Sequence, residues 1–184
     1  MMRDQLLYFM AIIPPEPVYS YAFEQKTYFA HNFNSKAALK SPPHITLHMP
    51  FQLKEKKETL LINHLQAEAR QRKAFHLEVN NFGVFEPRVI YLNVNKPDPL
   101  VHLQKSICSV MKTKLNLFNS NYKDQVFRPH ITVAFRDLKK PLFYEAWEEY
   151  KAKKYNLSFQ ASAFVLLKHD GSKWQVHHTF ELKP

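Results

Sequence analysis

The chain contains Pro43-His44-Ile45-Thr46-Leu47-His48 and, in its second half, Pro129-His130-Ile131-Thr132-Val133-Ala134. Both stretches read Pro-His-Ile-Thr followed by an aliphatic residue. Proline restricts the backbone before it to extended conformations, so each motif is predicted to begin a β-strand. A single strand with one histidine and one hydroxyl is common, whereas two matching copies are not. The repeat therefore predicts two related halves that each contribute one such strand.

Strand geometry predicts where the repeated side chains point. Successive side chains of a strand alternate between its two faces, so His44 and Thr46 share one face while Ile45 and Leu47 share the other. The second copy alternates in the same way. We expect the aliphatic faces to fill a core and the two His-Thr faces to line a common groove.

The same alternation of side chains, continued along each strand, predicts further residues that face the groove. It places His48 on the groove side of the first strand and Met49 inward. In the second strand it places Ala134 and Arg136 on the groove side and Phe135 inward. His48 then either lines the groove or is an incidental polar residue.

Hydrophobic periodicity and turn residues predict alternating strands and helices along the rest of the chain. Strands are predicted at residues 3–13, 44–51, 75–81, 89–94, 130–136, 158–169 and 173–182. Helices are predicted at residues 18–32, 56–73, 99–117 and 141–154. The last two strands are predicted to form a hairpin with a type I′ turn at Asp170-Gly171.

These elements predict an α+β fold. We expect one bilobal domain over residues 1–184, in which two mainly antiparallel sheets are related by a pseudo-two-fold axis, with helices outside and a groove between the lobes. A parallel doubly wound sheet is disfavoured, because the chain ends in a hairpin and lacks glycine-rich loops.

Composition narrows the functional class. The 184 residues carry a formal net charge of +10, which favours an anionic partner such as nucleic acid or a phosphorylated small molecule, although a solubilising surface has the same composition. With only two glycines the chain has neither a P-loop nor a dinucleotide-binding loop. The single Cys108 excludes an internal disulfide and a cysteine-based zinc cluster. An apolar N-terminal run at residues 6–13 is too short to span a bilayer, so we expect a soluble protein without membrane association. The low cysteine content favours a reducing cytosol, and we expect a cytoplasmic monomer.

Two histidines and two hydroxyls facing one groove are suited to acid–base chemistry on a phosphodiester. One neutral imidazole accepts a proton from the nucleophile, and one protonated imidazole donates a proton to the leaving oxygen. Threonine hydroxyls can hydrogen-bond the non-bridging phosphate oxygens. This chemistry requires neither a metal nor another cofactor.

The paired motifs resemble those of the two-histidine (2H) phosphoesterases, which include 2′-5′ RNA ligase-like proteins and cyclic nucleotide phosphodiesterases. That family is defined by two His-x-Ser/Thr-x motifs in a pseudo-symmetric bilobal α+β fold. Residues 81–92 also look like the stretch between the motifs of bacterial members. The resemblance spans essentially the whole chain, although only the two motifs are specific to the family.

The resemblance implies a catalytic role for four residues of this chain. It makes His44 and His130 the acid–base pair and Thr46 and Thr132 the phosphate ligands. In members that hydrolyse 2′,3′-cyclic phosphates, it implies that the second histidine acts as base and the first as acid. The two roles exchange when the reaction runs in reverse.

Together with His48, three further residues are candidate substrate contacts. Arg136 either holds a phosphate or pairs with a carboxylate at Asp137 or Glu145. Arg128 and Tyr122 precede the second motif in a basic-aromatic loop suited to stacking a base and attracting an anion, although a solvated loop has the same composition.

The substrate class remains open between three alternatives. The first is a metal-independent phosphoesterase for 2′,3′-cyclic phosphates or 2′-5′ phosphodiesters of RNA or small nucleotides, with RNA ligation as its reverse reaction. The second is a phosphodiesterase for another cyclic phosphate, such as an ADP-ribose cyclic phosphate. The third is a non-catalytic module that binds RNA or a nucleotide.

Overall fold

Strands and helices follow the predicted order along the chain, except that two strands replace the one predicted at residues 158–169. The computed structural model describes residues 5–118 and 126–184. Its elements are β1 (Gln5–Ile12), α1 (Val18–Asn32), β2 (Ile45–Lys54), α2 (Glu58–Ala69), β3 (Phe75–Phe85), β4 (Val89–Val94), α3 (Asp98–Leu115), β5 (His130–Ala134), α4 (Lys140–Tyr150), β6 (Asn156–Ala161), β7 (Ala163–His169) and β8 (Trp174–Glu181). None of the helices within these ranges is long and apolar enough to cross a bilayer.

The strands form one sheet in the order β6-β3-β4-β5-β2-β1-β7-β8, with antiparallel pairing between neighbours. This arrangement confirms the α+β class. The two predicted sheets are the two halves of this sheet, and they meet at β2 and β5 through a single register pair, Ile45 with Ile131.

The meeting point of the halves falls on the repeated motif. The unit β1-α1-β2 leads into the first copy and the unit β4-α3-β5 leads into the second. Ile45 and Ile131 occupy the same position in the two copies and lie opposite each other. The pseudo-two-fold axis therefore passes through this pair, and both motifs lie at the centre of the molecule.

Each motif strand contains one extra residue directly after its threonine. Thr46 pairs with Ala11 and His48 with Met10, so Leu47 has no partner of its own on β1. Thr132 and Ala134 pair with successive residues of β4, which leaves Val133 as the extra residue of β5. Such β-bulges change which face the following side chains occupy.

The bulges make the predicted side-chain directions beyond each threonine wrong. His48 and Ala134, expected in the groove, are buried with exposed fractions of 1% and 0%. Met49 and Phe135, expected in the core, line the groove instead. Simple alternation fails because an extra residue shifts the pattern by one position.

The helices cover the sheet through apolar faces at helical spacing. In α1 the buried face includes Val18, Ala22 and Phe29, and in α3 the buried positions include Leu103 and Ile107. These side chains belong to one continuous apolar cluster that extends through both halves of the sheet. The shared core fixes the two motif strands relative to each other.

The C-terminal segment differs from the predicted hairpin in two ways. The strand predicted at residues 158–169 is interrupted at Ser162, so that β6 pairs with β3 while β7 pairs with β1. The turn between β7 and β8 is not type I′, since Gly171 has a positive φ of 101° and Asp170 does not. The Asp170 carboxylate instead accepts hydrogen bonds from the backbone N–H groups of Ser172 and Lys173, at 2.8 and 2.7 Å.

Candidate active site

A groove of roughly 590 Å³ opens where the two halves of the sheet meet. His44, Thr46, His130 and Thr132 all line it, as the motif repeat predicts. Its volume falls in the range typical of nucleotide-sized ligand sites. We refer to this cavity as the groove throughout.

The register at the junction places each histidine beside the threonine of the other copy. Continuing the antiparallel pairing of Ile45 with Ile131 by one residue in each direction sets His44 opposite Thr132 and Thr46 opposite His130. The site therefore consists of two His-Thr pairs, each built from both strands. A phosphate between the two histidines would meet a hydroxyl from each side.

Both histidines are held in the same orientation by a carbonyl two residues earlier. His44 Nδ1 lies 2.8 Å from the Pro42 carbonyl oxygen, and His130 Nδ1 lies 2.7 Å from that of Arg128. Because a carbonyl only accepts, Nδ1 must carry the proton and donate it in both rings. Nε2 of each ring is then the atom available for proton transfer, which is the arrangement required of an acid–base pair.

The electrostatic environments of the two histidines differ. Burial lowers the pKa of His44, and the charges of Lys26 and His130 lower it further, to about 3, despite the opposing hydrogen bond to Pro42. Burial also lowers the pKa of His130, with only its backbone hydrogen bond to Arg128 acting in the opposite direction. Both rings therefore favour the neutral form, and His44 does so more strongly.

Aromatic rings flank each histidine. The ring of Phe9 lies 4.9 Å from that of His44 and 4.6 Å from that of Trp174. On the other side, the rings of Phe85 and Tyr91 lie 5.0 and 4.9 Å from that of His130. Phe85 and Trp174 line the groove, where their faces offer stacking surfaces for a nucleobase.

The groove is cationic. Lys26, Lys40 and Arg136 line it, and none of the described lining residues carries a carboxylate. Arg136 adopts a left-handed backbone conformation with a φ of 63°, directly after the bulged strand. Arg136 lines the groove even though the alternation used to predict its direction fails.

The alternative of an ion pair between Arg136 and Asp137 does not occur in the structure. The Asp137 carboxylate accepts hydrogen bonds from Ser35 Oγ at 2.9 Å and from the backbone N–H groups of Lys36 and Ala37, at 2.7 and 2.8 Å. The guanidinium of Arg136 instead lies over the Phe135 ring, 5.3 Å from its centre. Arg136 is thus a candidate anion ligand of the groove.

Of the remaining candidate contacts, neither His48 nor Arg128 lines the groove. His48 is buried, with Nδ1 bonded to the Met49 carbonyl at 2.9 Å and no hydrogen-bond partner at Nε2. Arg128 contributes its carbonyl to His130, but its side chain is exposed and is absent from the groove wall. Tyr122 lies outside the described residues.

Lys26 is a buried, charged groove residue that the sequence reasoning missed. It lies on α1 with an exposed fraction of 1%, and it lines the groove. Its spacing from Val18, Ala22 and Phe29 places it on the buried face of the helix, so a charged residue within an apolar stripe was the available signal. The groove position of Phe9 could not be predicted, because in the sequence it is one of several apolar residues of a buried strand.

A pseudo-symmetric α+β fold with a His-x-Thr motif on each of two central strands is the architecture of a two-histidine phosphoesterase. The chain belongs to the 2′-5′ RNA ligase superfamily, whose sequence model matches residues 14–173.

Relatives and solved structures agree with this assignment. The chain is 31% identical over 146 residues to "Putative phosphoesterase OB1230" of Oceanobacillus iheyensis, covering 77% of this chain and 80% of the relative. It is 28% identical over 176 residues to "Putative phosphoesterase GK0864" of Geobacillus kaustophilus, covering 94% of each. Its fold is similar to TT0787 of Thermus thermophilus, with a TM-score of 0.68, 19% identity and coverage of 97% and 98% of the two chains. It is also similar to E. coli LigT complexed with 3′-AMP, with a TM-score of 0.67, 20% identity and coverage of 98% and 99%.

Proposed function

We propose that this protein is a metal-independent phosphoesterase that acts on 2′,3′-cyclic phosphates or 2′-5′ phosphodiesters of RNA or small nucleotides. The observation that carries the proposal is the convergence of both His-x-Thr motifs on one cationic groove, each histidine held through Nδ1. Membership of the superfamily supports the reaction class. The 3′-AMP bound to E. coli LigT supports a nucleotide as ligand.

The proposed reaction is an in-line displacement at phosphorus. Nε2 of one histidine accepts a proton from water as the water oxygen bonds to phosphorus. The bond from phosphorus to one ribose oxygen breaks, and Nε2 of the other, protonated histidine donates its proton to that oxygen. The products are a phosphomonoester and a free ribose hydroxyl. The two rings have then exchanged protonation states, so the reverse reaction uses each in the opposite role.

The threonines and the groove cations complete the proposed site. The hydroxyls of Thr46 and Thr132 donate hydrogen bonds to the non-bridging oxygens, and Arg136 and Lys40 offset the charge that builds on them. An anionic substrate between the histidines also favours their protonated forms, opposing the effect of burial. Substrate binding thus supplies the condition under which one imidazole is charged.

The test compares variants on a panel of phosphodiesters. Nucleoside 2′,3′-cyclic phosphates, a 2′-5′-linked dinucleotide and an ADP-ribose cyclic phosphate are assayed with the wild type, His44→Ala, His130→Ala and the exposed control His102→Ala. We expect each groove variant to lose at least about 10²-fold in kcat/KM on the best substrate, since each removes one acid–base role, while the control is unchanged.

Other outcomes of that test separate the alternatives. If the ADP-ribose compound is the best substrate by far, the substrate class is the second alternative. Tight oligonucleotide binding with no turnover of any compound identifies a non-catalytic binding module. Full activity in either groove variant overturns the catalytic assignment. The rate is expected to fall at both low and high pH and to survive EDTA, and loss of activity in EDTA contradicts the metal-independent mechanism.

A further inference from the structure

Lys26 is a buried cation at the edge of the groove. Its Nζ donates hydrogen bonds to the carbonyl oxygens of Ala38 and Ser41, at 3.1 and 2.9 Å. Lysine is rarely buried unless its charge is paired, and these two partners are neutral carbonyls. The proposed reaction does not use this residue directly, so its placement calls for another explanation.

The segment that Lys26 holds is the one that orients His44. Ala38 belongs to a short 3-10 helix, Ala37–Lys40, that precedes β2. Ser41 is followed by Pro42, whose carbonyl accepts the hydrogen bond from His44 Nδ1 at 2.8 Å. The ammonium is therefore linked to the imidazole through two neighbouring residues of one short segment.

The second half of the molecule has no equivalent buried cation among its described residues. Helix α3 corresponds to α1 in the repeat, and its buried residues are Leu100, Leu103, Gln104, Ile107, Met111 and Leu115. The nearest analogue is Lys96, whose Nζ lies 3.4 Å from the Phe127 carbonyl in the segment before β5. Lys96 is exposed, so solvent screens its charge. The buried lysine is thus a clear asymmetry in an otherwise symmetric site.

We propose that Lys26 is the positioning residue that makes the two histidines unequal. It anchors the segment that orients His44 and places a positive charge beside it, so that His44 accepts the proton of the attacking water and His130 donates its own proton to the leaving oxygen. This division of roles is the reverse of the one that the family resemblance implies for hydrolysis of 2′,3′-cyclic phosphates.

The charges around the groove are consistent with this role. The groups that share the groove with Lys26 are His44 directly before β2, His130 on β5, Arg136 after β5, Lys40 in the 3-10 helix and His169 at the end of β7. None is acidic, so nothing on the groove wall offsets the charge of Lys26. Burial lowers the pKa of Lys26 to about 7, and an anionic phosphate in the groove would favour its charged form.

The first test measures the histidines directly, without substrate. The ring protons of His44 are assigned by their loss in His44→Ala and titrated by NMR in the wild type, Lys26→Met, Lys26→Arg and Lys105→Met. Lys105 is exposed on α3 and provides a matched loss of one charge away from the groove. We expect the His44 midpoint to rise by about one pH unit or more in Lys26→Met, and by much less in Lys26→Arg and Lys105→Met. An unchanged midpoint in a folded Lys26→Met overturns the proposal.

The second test assigns donor and acceptor, and it rests on the proposed function. A nucleoside p-nitrophenyl phosphodiester has a leaving group that departs without protonation. We expect His130→Ala to lose at least about 10²-fold on the unactivated substrate but less than about tenfold on this ester, because only the acid is bypassed. His44→Ala should lose activity on both substrates. The opposite pattern overturns the assigned roles.

The two tests fail in distinguishable ways. If no phosphodiester is turned over, the proposed function fails while the NMR titration still reports on Lys26. If wild type is active and the acidic limb of its pH profile stays in place in Lys26→Met, the electrostatic role fails while the phosphoesterase assignment stands. A loss of activity in Lys26→Met without movement of that limb indicates a purely structural lysine and also contradicts the proposal.

Discussion

His48 lies on β2, four residues after His44, but in a different environment. The bulge at Leu47 turns its ring into the core, where it packs edge-on against Phe51 with ring centres 5.3 Å apart. Burial lowers its pKa. His44 thus lines the groove, whereas His48, four residues later, packs in the core.

At this residue we predict a stability effect without a catalytic one. The lowered pKa means that the unfolded chain binds a proton at His48 as the pH falls below about 6.5 while the folded chain does not, so folding stability decreases with acidity. His48→Leu removes this contribution. We expect the unfolding free energy of this variant, measured by urea titration, to fall less steeply between pH 6.5 and 5 than that of the wild type. The variant should keep its phosphoesterase activity within a few-fold, and a loss comparable to that of His44→Ala would contradict the buried placement.

At the scale of elements, the pairing of β3 with β4 positions one wall of the site. Gly83 on β3 pairs with Tyr91 on β4, whose ring contacts that of His130. A Cβ at Gly83 would lie 2.7 Å from both the Tyr91 ring and Asn93 Oδ1. The absence of a side chain at this position therefore allows Tyr91 to sit against the histidine.

We accordingly expect Gly83→Ala to affect both stability and activity. The added methyl group displaces Tyr91, costing about 1–3 kcal/mol in unfolding free energy and disturbing the neighbour of His130. Ile107→Val in α3 is a suitable control, because it loses about 0.5–1.5 kcal/mol from a core position outside the groove. Urea unfolding and kcat/KM are measured for both. If Gly83→Ala and Ile107→Val retain the same fraction of the wild-type kcat/KM, Tyr91 does not influence the site.

The elements also show which features were accessible from sequence. The predicted bounds of helix α1 agree with the observed bounds. Proline ends the preceding strand, and the apolar residues of α1 recur at helical spacing. The prediction that the two motifs face one groove followed from their repetition, whereas the direct pairing of their strands within one sheet was not predicted. The bulges were not predictable, because Leu47 and Val133 are ordinary strand residues and only pairing with β1 and β4 makes them extra. The break at Ser162 likewise depends on which distant strands are available for pairing.

At the scale of the whole molecule, one carboxylate connects four elements. Glu58 at the start of α2 accepts hydrogen bonds from the hydroxyl of Tyr8 on β1 and from Lys168 Nζ on β7, the latter at 2.9 Å. His177 Nε2 on β8 lies 2.9 Å from its other oxygen. Burial alone would raise the pKa of Glu58, but these hydrogen bonds lower it to about 2.

This network predicts an acid-sensitive contribution to stability. Because the folded pKa of Glu58 lies below the unfolded value of about 4.5, the contribution is present above that pH and is lost as the pH falls towards 2. We expect Glu58→Gln to be less stable than wild type at pH 7 and the difference to shrink at pH 3, as measured by urea unfolding. Glu148→Gln, which removes an exposed pair with Lys151, should change little at either pH. A constant difference across this range would contradict the lowered pKa.

The order of strands in the sheet bears on how the chain folds during synthesis. Strand β6 completes one half of the sheet beside β3, and β7 and β8 complete the other beside β1. All three strands are translated after α4, so both β1 and β3 keep an unpaired edge until residues 156–181 have left the ribosome. The half that contains β3 can be completed once β6 has emerged, whereas the half that contains β1 must wait for β7 and β8. Folding therefore depends on distant pairings made late, and we expect a ribosome-stalled chain ending before residue 156 to be sensitive to protease throughout both halves.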